Sequence, residues 1–178
     1  MKFLVQAMVC VLAAAAAAGA SAAQQLPFDA SWQKRELNFT YTGFTSNYSC
    51  DGLRDKLKLL LRLAGARPDA DVRVPCTSPA GRPQRSSTVL LTFHSLAPAA
   101  AAGANATTTG IWKEVAWRAG SPRELDAGDC ELVDEFARRI LPLFTTRKVE
   151  NLMTCTPNQV NPSGFDLRFS VFAADQSR

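Results

Sequence analysis

One histidine, His94, serves the whole chain of 178 residues. Any Ser-His-Asp or Cys-His arrangement would have to be built on it. There is no C-x-x-C pair, so neither a thioredoxin-like redox motif nor the closely spaced ligands of most zinc sites is present. A G-x-S-x-G nucleophile elbow is missing, as is a glycine-rich phosphate loop. Beyond the first two dozen residues no apolar run approaches the ~20 residues that span a bilayer. The formal net charge of +4 is too mild to make a nucleic acid an expected partner. These absences leave no metal and no cofactor to expect.

What is present begins with a targeting pattern. Met1-Lys2 supplies a positive start, Phe3 to Gly19 is apolar and alanine-rich, and "ASAAQQ" offers small residues for cleavage after Ala22 or Ala23. That order is expected of a secretory signal over residues 1–23, leaving residues 24–178 as a single domain, periplasmic or secreted and not membrane-spanning after processing. About 155 residues are enough for one domain with its own core. Four cysteines remain in it, Cys50, Cys76, Cys130 and Cys155, and an even count in an exported chain favours disulfides.

The hydrophobic pattern changes period along the chain. "ELNFTYTGF" (Glu36 to Phe44) alternates Leu37, Phe39 and Tyr41 with polar residues, the period of a half-buried strand. From Cys50 to Ala64 the period lengthens: Leu53, Leu57, Leu60, Leu61 and Ala64 form one helical stripe, with Ser49 or Asp51 to cap it and Gly65 to end it. Short and long strands follow at Asp71 to Cys76 and Ser87 to Leu96. The order then recurs: a strand from Ile111 to Arg118, a helix from Cys130 to Leu141 stopped by Pro142, a strand from Glu150 to Cys155 and another from Phe165 to Ala173. Aligning Cys50 with Cys130 pairs Leu53 with Val133, Leu60 with Ile140 and Leu61 with Leu141. The expected fold is therefore α+β, a duplicated β-α-β-β unit (about 36–96 and 111–173) joined by a flexible alanine-rich linker, 97–110. Two helices would pack on one face of a mostly antiparallel sheet.

Geometry selects among the three possible cysteine connectivities. A helix of about 15 residues is ~22 Å long, and a six-residue strand returns ~20 Å. Each helix start therefore lies beside the end of the following strand, and the expected bridges are Cys50–Cys76 and Cys130–Cys155. Closing a loop of roughly 26 residues contributes on the order of 3.5 kcal/mol by chain entropy. The duplicated Cys-helix-strand-Cys unit resembles that of small exported proteobacterial proteins with no assigned activity. The resemblance covers about Leu37 to Ala173 and brings no functional residues with it.

Two surfaces stand out as candidates. Arg54, Lys58 and Arg62 recur every four residues opposite the leucines, a basic docking stripe for an acidic partner: an envelope protein or an anionic surface polymer. On the sheet, if Leu37, Phe39, Trp117 and Phe169 face the helices, then His94, Trp112, Glu114, Arg118, Arg168 and Phe172 share the other side. That side is either a binding face or one covered by the N-terminal "QQLPFDASW" segment. The acidic pairs Asp51/Asp55 and Glu131/Glu135 fall in first helical turns, where negative charge suits the helix dipole. The leading expectation is a non-enzymatic binding or assembly module. Its competitors are a small hydrolase or thiol-redox enzyme using His94 or a cysteine, and a structural homodimer through the open sheet face.

Overall fold

The computed structural model describes residues 27–75, 82–103, 105–158 and 164–175. Six strands, β1 (Phe28–Thr42), β2 (Asp71–Arg73), β3 (Ser86–Pro98), β4 (Thr108–Arg118), β5 (Thr146–Met153) and β6 (Phe165–Ala174), form one antiparallel sheet in the order β2-β3-β1-β4-β6-β5. The helices are α1 (Cys50–Leu63), the single turn α2 (Ala99–Ala102) and α3 (Cys130–Glu135). The α+β class and the antiparallel sheet follow the hydrophobic pattern. Within each half the first strand is innermost, the last lies next to it and the short or bulged middle strand takes the edge.

Leucines make α1. Leu53, Leu57, Leu60 and Leu61 are all fully buried against the sheet, each such side chain removing apolar surface worth about 1.5–3 kcal/mol. Ser49 accepts a hydrogen bond from the Gly52 amide and caps the start. At the other end Gly65 takes φ +86°, its amide bonding Arg62 O while the Ala66 amide bonds Leu61 O, a Schellman closure. A side chain at Gly65 would also press on Cβ of Ala173.

The second helix is less regular. α3 widens into a π-helical turn over Phe136–Ile140 and tightens into a 3₁₀ turn over Leu141–Leu143. Pro142, which has no amide to donate, sits in that last turn. Cys130, Val133, Phe136, Ile140 and Leu141 nevertheless face the same core as α1. Trp117 stands at its centre, edge-on to Phe169 at 5.4 Å and tilted on Phe136 at 5.2 Å.

Several expected boundaries are corrected. β1 starts at Phe28, not Glu36, so the described part of "QQLPFDASW" is strand rather than cover. Its first half pairs with β3 through Gln33↔Ser95 and Ala30↔Pro98, and with β4 through Phe28↔Gly110, Asp29↔Thr109 and Ala30↔Thr108. Small and polar residues on that stretch hide the period-two signal. Within the expected linker 97–110, Ala97–Pro98 end β3, Ala99–Ala102 form α2 and Thr108–Gly110 open β4, with a turn at Gly103 and irregular chain over 105–107; residue 104 lies outside the described residues. β2 stops at Arg73, and Cys76 and residues 1–26 lie outside the described residues. β5 begins four residues early at Thr146 and carries a bulge between Arg147 and Glu150, with Lys148 at φ +52°.

The expected bridge Cys130–Cys155 is formed, tying the start of α3 to the chain just past β5. Cys50, buried at the start of α1, is also disulfide-bonded. Polar contacts join the halves at this end of the molecule. Asp129, only 2% exposed, accepts from Tyr48 Oη at 2.6 Å, Lys56 Nζ at 2.6 Å and the Asp126 amide at 2.8 Å. Glu131 takes the Phe44 and Thr45 amides at 2.8 and 2.9 Å. Among the described residues, no helix is long and apolar enough to cross a membrane.

Candidate binding cleft

On the face opposite the helices, the register brings Trp112, Glu114, Arg118, Arg168 and Phe172 together, since Trp112 pairs with Phe172 and Glu114 with Ser170, while His94 on β3 pairs with Lys34 of β1. They do not act as one surface. Asp166 takes Arg168 at 2.7 Å and Arg118 at 3.0 Å, and these guanidiniums, Arg168 foremost, hold its carboxyl below the ordinary range. Glu114 accepts from Ser170 Oγ at 2.6 Å. Phe172 is buried in a second small apolar cluster with Ala30 and Leu96, flanked by Trp32, Trp112 and Ala174. Gly110 is required there, because a Cβ would sit 2.6 Å from the Phe172 ring. Trp112 is capped by Arg147, whose guanidinium carbon lies 4.1 Å from the ring centroid.

His94 is removed from this group. Its ring meets the Arg67 guanidinium, 2.9 Å from Nδ1, and Asp69 lies 3.6 Å away. A permanently charged donor on the ring occupies a lone pair that a general base would need free. Among the described residues, no hydroxyl or thiol is hydrogen-bonded to His94, and no group of three or more His, Cys, Asp or Glu side chains is placed to hold a metal.

The basic stripe divides. Arg54 is neutralised within its own helix by Asp51 at 2.7 Å and Asp55 at 2.9 Å. Lys58 and Arg62 are exposed and form no ion pair among the described residues. Both look onto a hollow of about 210 Å³ bounded also by Arg67 and Pro68. Arg62 and Pro68 are shared with a larger cleft of about 580 Å³, whose other walls are Trp32, Gly65, Ala66, Ile111, Lys113, Ala173, Ala174 and Asp175.

The helix end creates this cleft. The Gly65 turn sends the chain back along β3, where the Arg67 amide bonds His94 O at 3.0 Å. Arg67, paired with Asp69, then lies over Trp32 at 5.9 Å. Lys113 on β4, also in the wall, is exposed and, like Lys58 and Arg62, forms no ion pair among the described residues. The floor is apolar, the rim cationic, and Asp175 is the single carboxylate in the wall among the described residues.

Of these residues the sequence marked Lys58 and Arg62 and passed over Trp32, Arg67 and Lys113. Trp32 belonged to a stretch without period-two patterning, and Lys113 lies one residue from a tryptophan that drew notice. No local signal joins positions 32, 62 and 113, which only the sheet topology brings together.

Fold and cleft define an antiparallel α+β protein, stapled by disulfide, with a cation-rimmed apolar recess at the junction of its two halves. No protein-family model matches the chain, no curated protein matches it, and no solved structure matches its fold.

Proposed function

We propose that this chain is an exported, non-enzymatic binding module whose ligand is anionic. The observation that carries the reading is the set of three cations, Lys58, Arg62 and Lys113, without counter-ions among the described residues and lining two adjoining hollows that share Arg62 and Pro68. Many of the other arginines are matched locally: Arg54, Arg73, Arg118, Arg138, Arg139 and Arg168 each hold a carboxylate at 3.0 Å or less, whereas Arg85 and Arg147 lie over aromatic rings. What sets Lys58, Arg62 and Lys113 apart is their place on adjoining hollows, where unmatched positive charge supplies an electrostatic target. Export is supported by the N-terminal charged, apolar, small-residue order and by the disulfides.

The halves are read as copies of one ancestral unit. An antiparallel pair has a local twofold axis between facing residues. Asp29 and Thr109, which face each other at the β1–β4 junction, are as far apart in sequence as Cys50 and Cys130. The aligned helix positions Leu53/Val133, Leu60/Ile140 and Leu61/Leu141 are buried in both copies.

The test is retention of the processed protein on immobilised polygalacturonate and on an immobilised aryl carboxylate across a salt gradient. Wild type is expected to be retained by at least one matrix and released by salt, while Lys58→Glu/Arg62→Glu/Lys113→Glu flows through both. Equal retention of the variant overturns the anionic reading. Hydrolysis of p-nitrophenyl esters that vanishes in His94→Ala overturns the non-enzymatic one. Amino-terminal sequencing of the exported protein is expected to begin at Ala23 or Gln24.

A further inference from the structure

We infer that the ligand is a small amphipathic anion, a flat apolar body carrying one or two acidic groups, held inside the Trp32 cleft rather than draped across the basic surface. This rests on the anionic reading above and narrows it.

Size supports it first. At about 580 Å³ the cleft falls within the range of small-molecule sites, roughly 300–1,000 Å³, and such sites gather at junctions between structural units. This one lies where the halves meet: Trp32 and Arg62 come from the first, Ile111, Lys113 and Ala173 from the second. β1 and β4 share only the pairs from Phe28 to Ala30, and Trp32 stands two residues beyond the last of them.

Chemistry supports it next. Ile111, Ala173 and Ala174 give the floor no hydrogen-bonding side chain, which favours an apolar body. Trp32 gives an aromatic wall, and Arg67 over the ring adds positive charge beside it. Arg62 from α1 and Lys113 from β4 both line the cleft and supply charged donors to an acidic group without the loss of an ion pair among the described residues. A polymer would gain from Lys58 and Arg62 on the open helix face but leave the floor and Trp32 unused.

The paired probes are 8-anilinonaphthalene-1-sulfonate and its neutral counterpart N-phenyl-1-naphthylamine, titrated into the processed protein by fluorescence. The sulfonate is expected to bind at one site, about tenfold or more tighter than the neutral probe, a ratio in keeping with charge-assisted bonds. Arg62→Gln/Lys113→Gln, both exposed and without an ion pair among the described residues, is expected to abolish that ratio while leaving circular dichroism unchanged. Trp32→Phe is expected to weaken both probes. The inference is overturned if the sulfonate binds no better than the neutral probe, or if the double variant keeps the full ratio. Salt-sensitive retention on polygalacturonate without sulfonate binding overturns it too, and leaves the anionic reading standing. Failure on every anionic matrix and probe removes both.

Discussion

Asp129 is almost sealed from solvent, yet it carries a charge that three donors converge on. Two of them, Tyr48 and Lys56, belong to the first half of the chain, whereas Asp129 opens the helix of the second. It joins a capping box with Asp126, but its larger task is to tie two elements far apart in sequence. Removing one partner of such a buried pair leaves the other uncompensated, which typically costs 3–5 kcal/mol. Asp129→Ala is therefore expected to lower the unfolding free energy by about 3 kcal/mol in urea titration. Asp55→Ala, which loses only a solvent-exposed partner of Arg54, is expected to stay within about 0.5 kcal/mol of wild type. A loss at Asp129 no larger than that at Asp55 would mean the network contributes nothing beyond surface charge.

Among the elements, those with a strong period were legible and those shaped by partners were not. α1 was readable because five apolar positions fall on one stripe and Ser49 and Gly65 mark its ends. The opening of β1 was not, because Ser31, Gln33 and Arg35 occupy its inward positions; Ser31 is buried there, and Arg35 donates to buried Ser95. β5 shows the same limit from the other side. Nearly every residue in it is exposed, Val149 and Leu152 among them, so no buried face wrote an alternation into the sequence. What holds β5 is its pairing with β6 and the Cys130–Cys155 bridge just beyond its end. The bridge closes a loop of 25 residues in sequence separation, for which chain entropy gives about 3.5 kcal/mol. Cys130→Ala/Cys155→Ala is accordingly expected to lose about 2–4 kcal/mol. Amide exchange is expected to quicken first in β5 and the start of α3, with α1 protected longest. Uniform acceleration across the sheet would show that the bridge acts on the whole molecule rather than on its edge.

At the scale of the whole molecule, the halves share few backbone links but one hydrophobic core, in which Leu53 and Leu57 lie in the same cluster as Phe136 and Trp117. A shared core should make unfolding a single event. The chain contains two tyrosines, Tyr41 and Tyr48, and both sit where α3 meets the first half. Burial is the main cause that raises both phenols well above their ordinary pKa. The charges of Glu131 and Asp129 add to it at Tyr41, and Asp129 does so at Tyr48. The folded protein therefore holds these protons more tightly than the unfolded chain, whose phenols titrate near pH 10. Their contribution to stability is complete below about pH 10 and is lost as the pH rises above it toward the folded-state values. Neither phenol is expected to ionise freely as the pH passes 10. Phenolate absorbance should instead appear in one cooperative step that coincides with loss of circular dichroism and of tryptophan fluorescence. Tyr48→Phe is expected to leave a single-residue step at the same transition, since Tyr41 is locked by the same core. A gradual titration of either tyrosine near pH 10, with the fold intact, would show that the seam between the halves opens to water. The halves would then be joined mainly by the sheet.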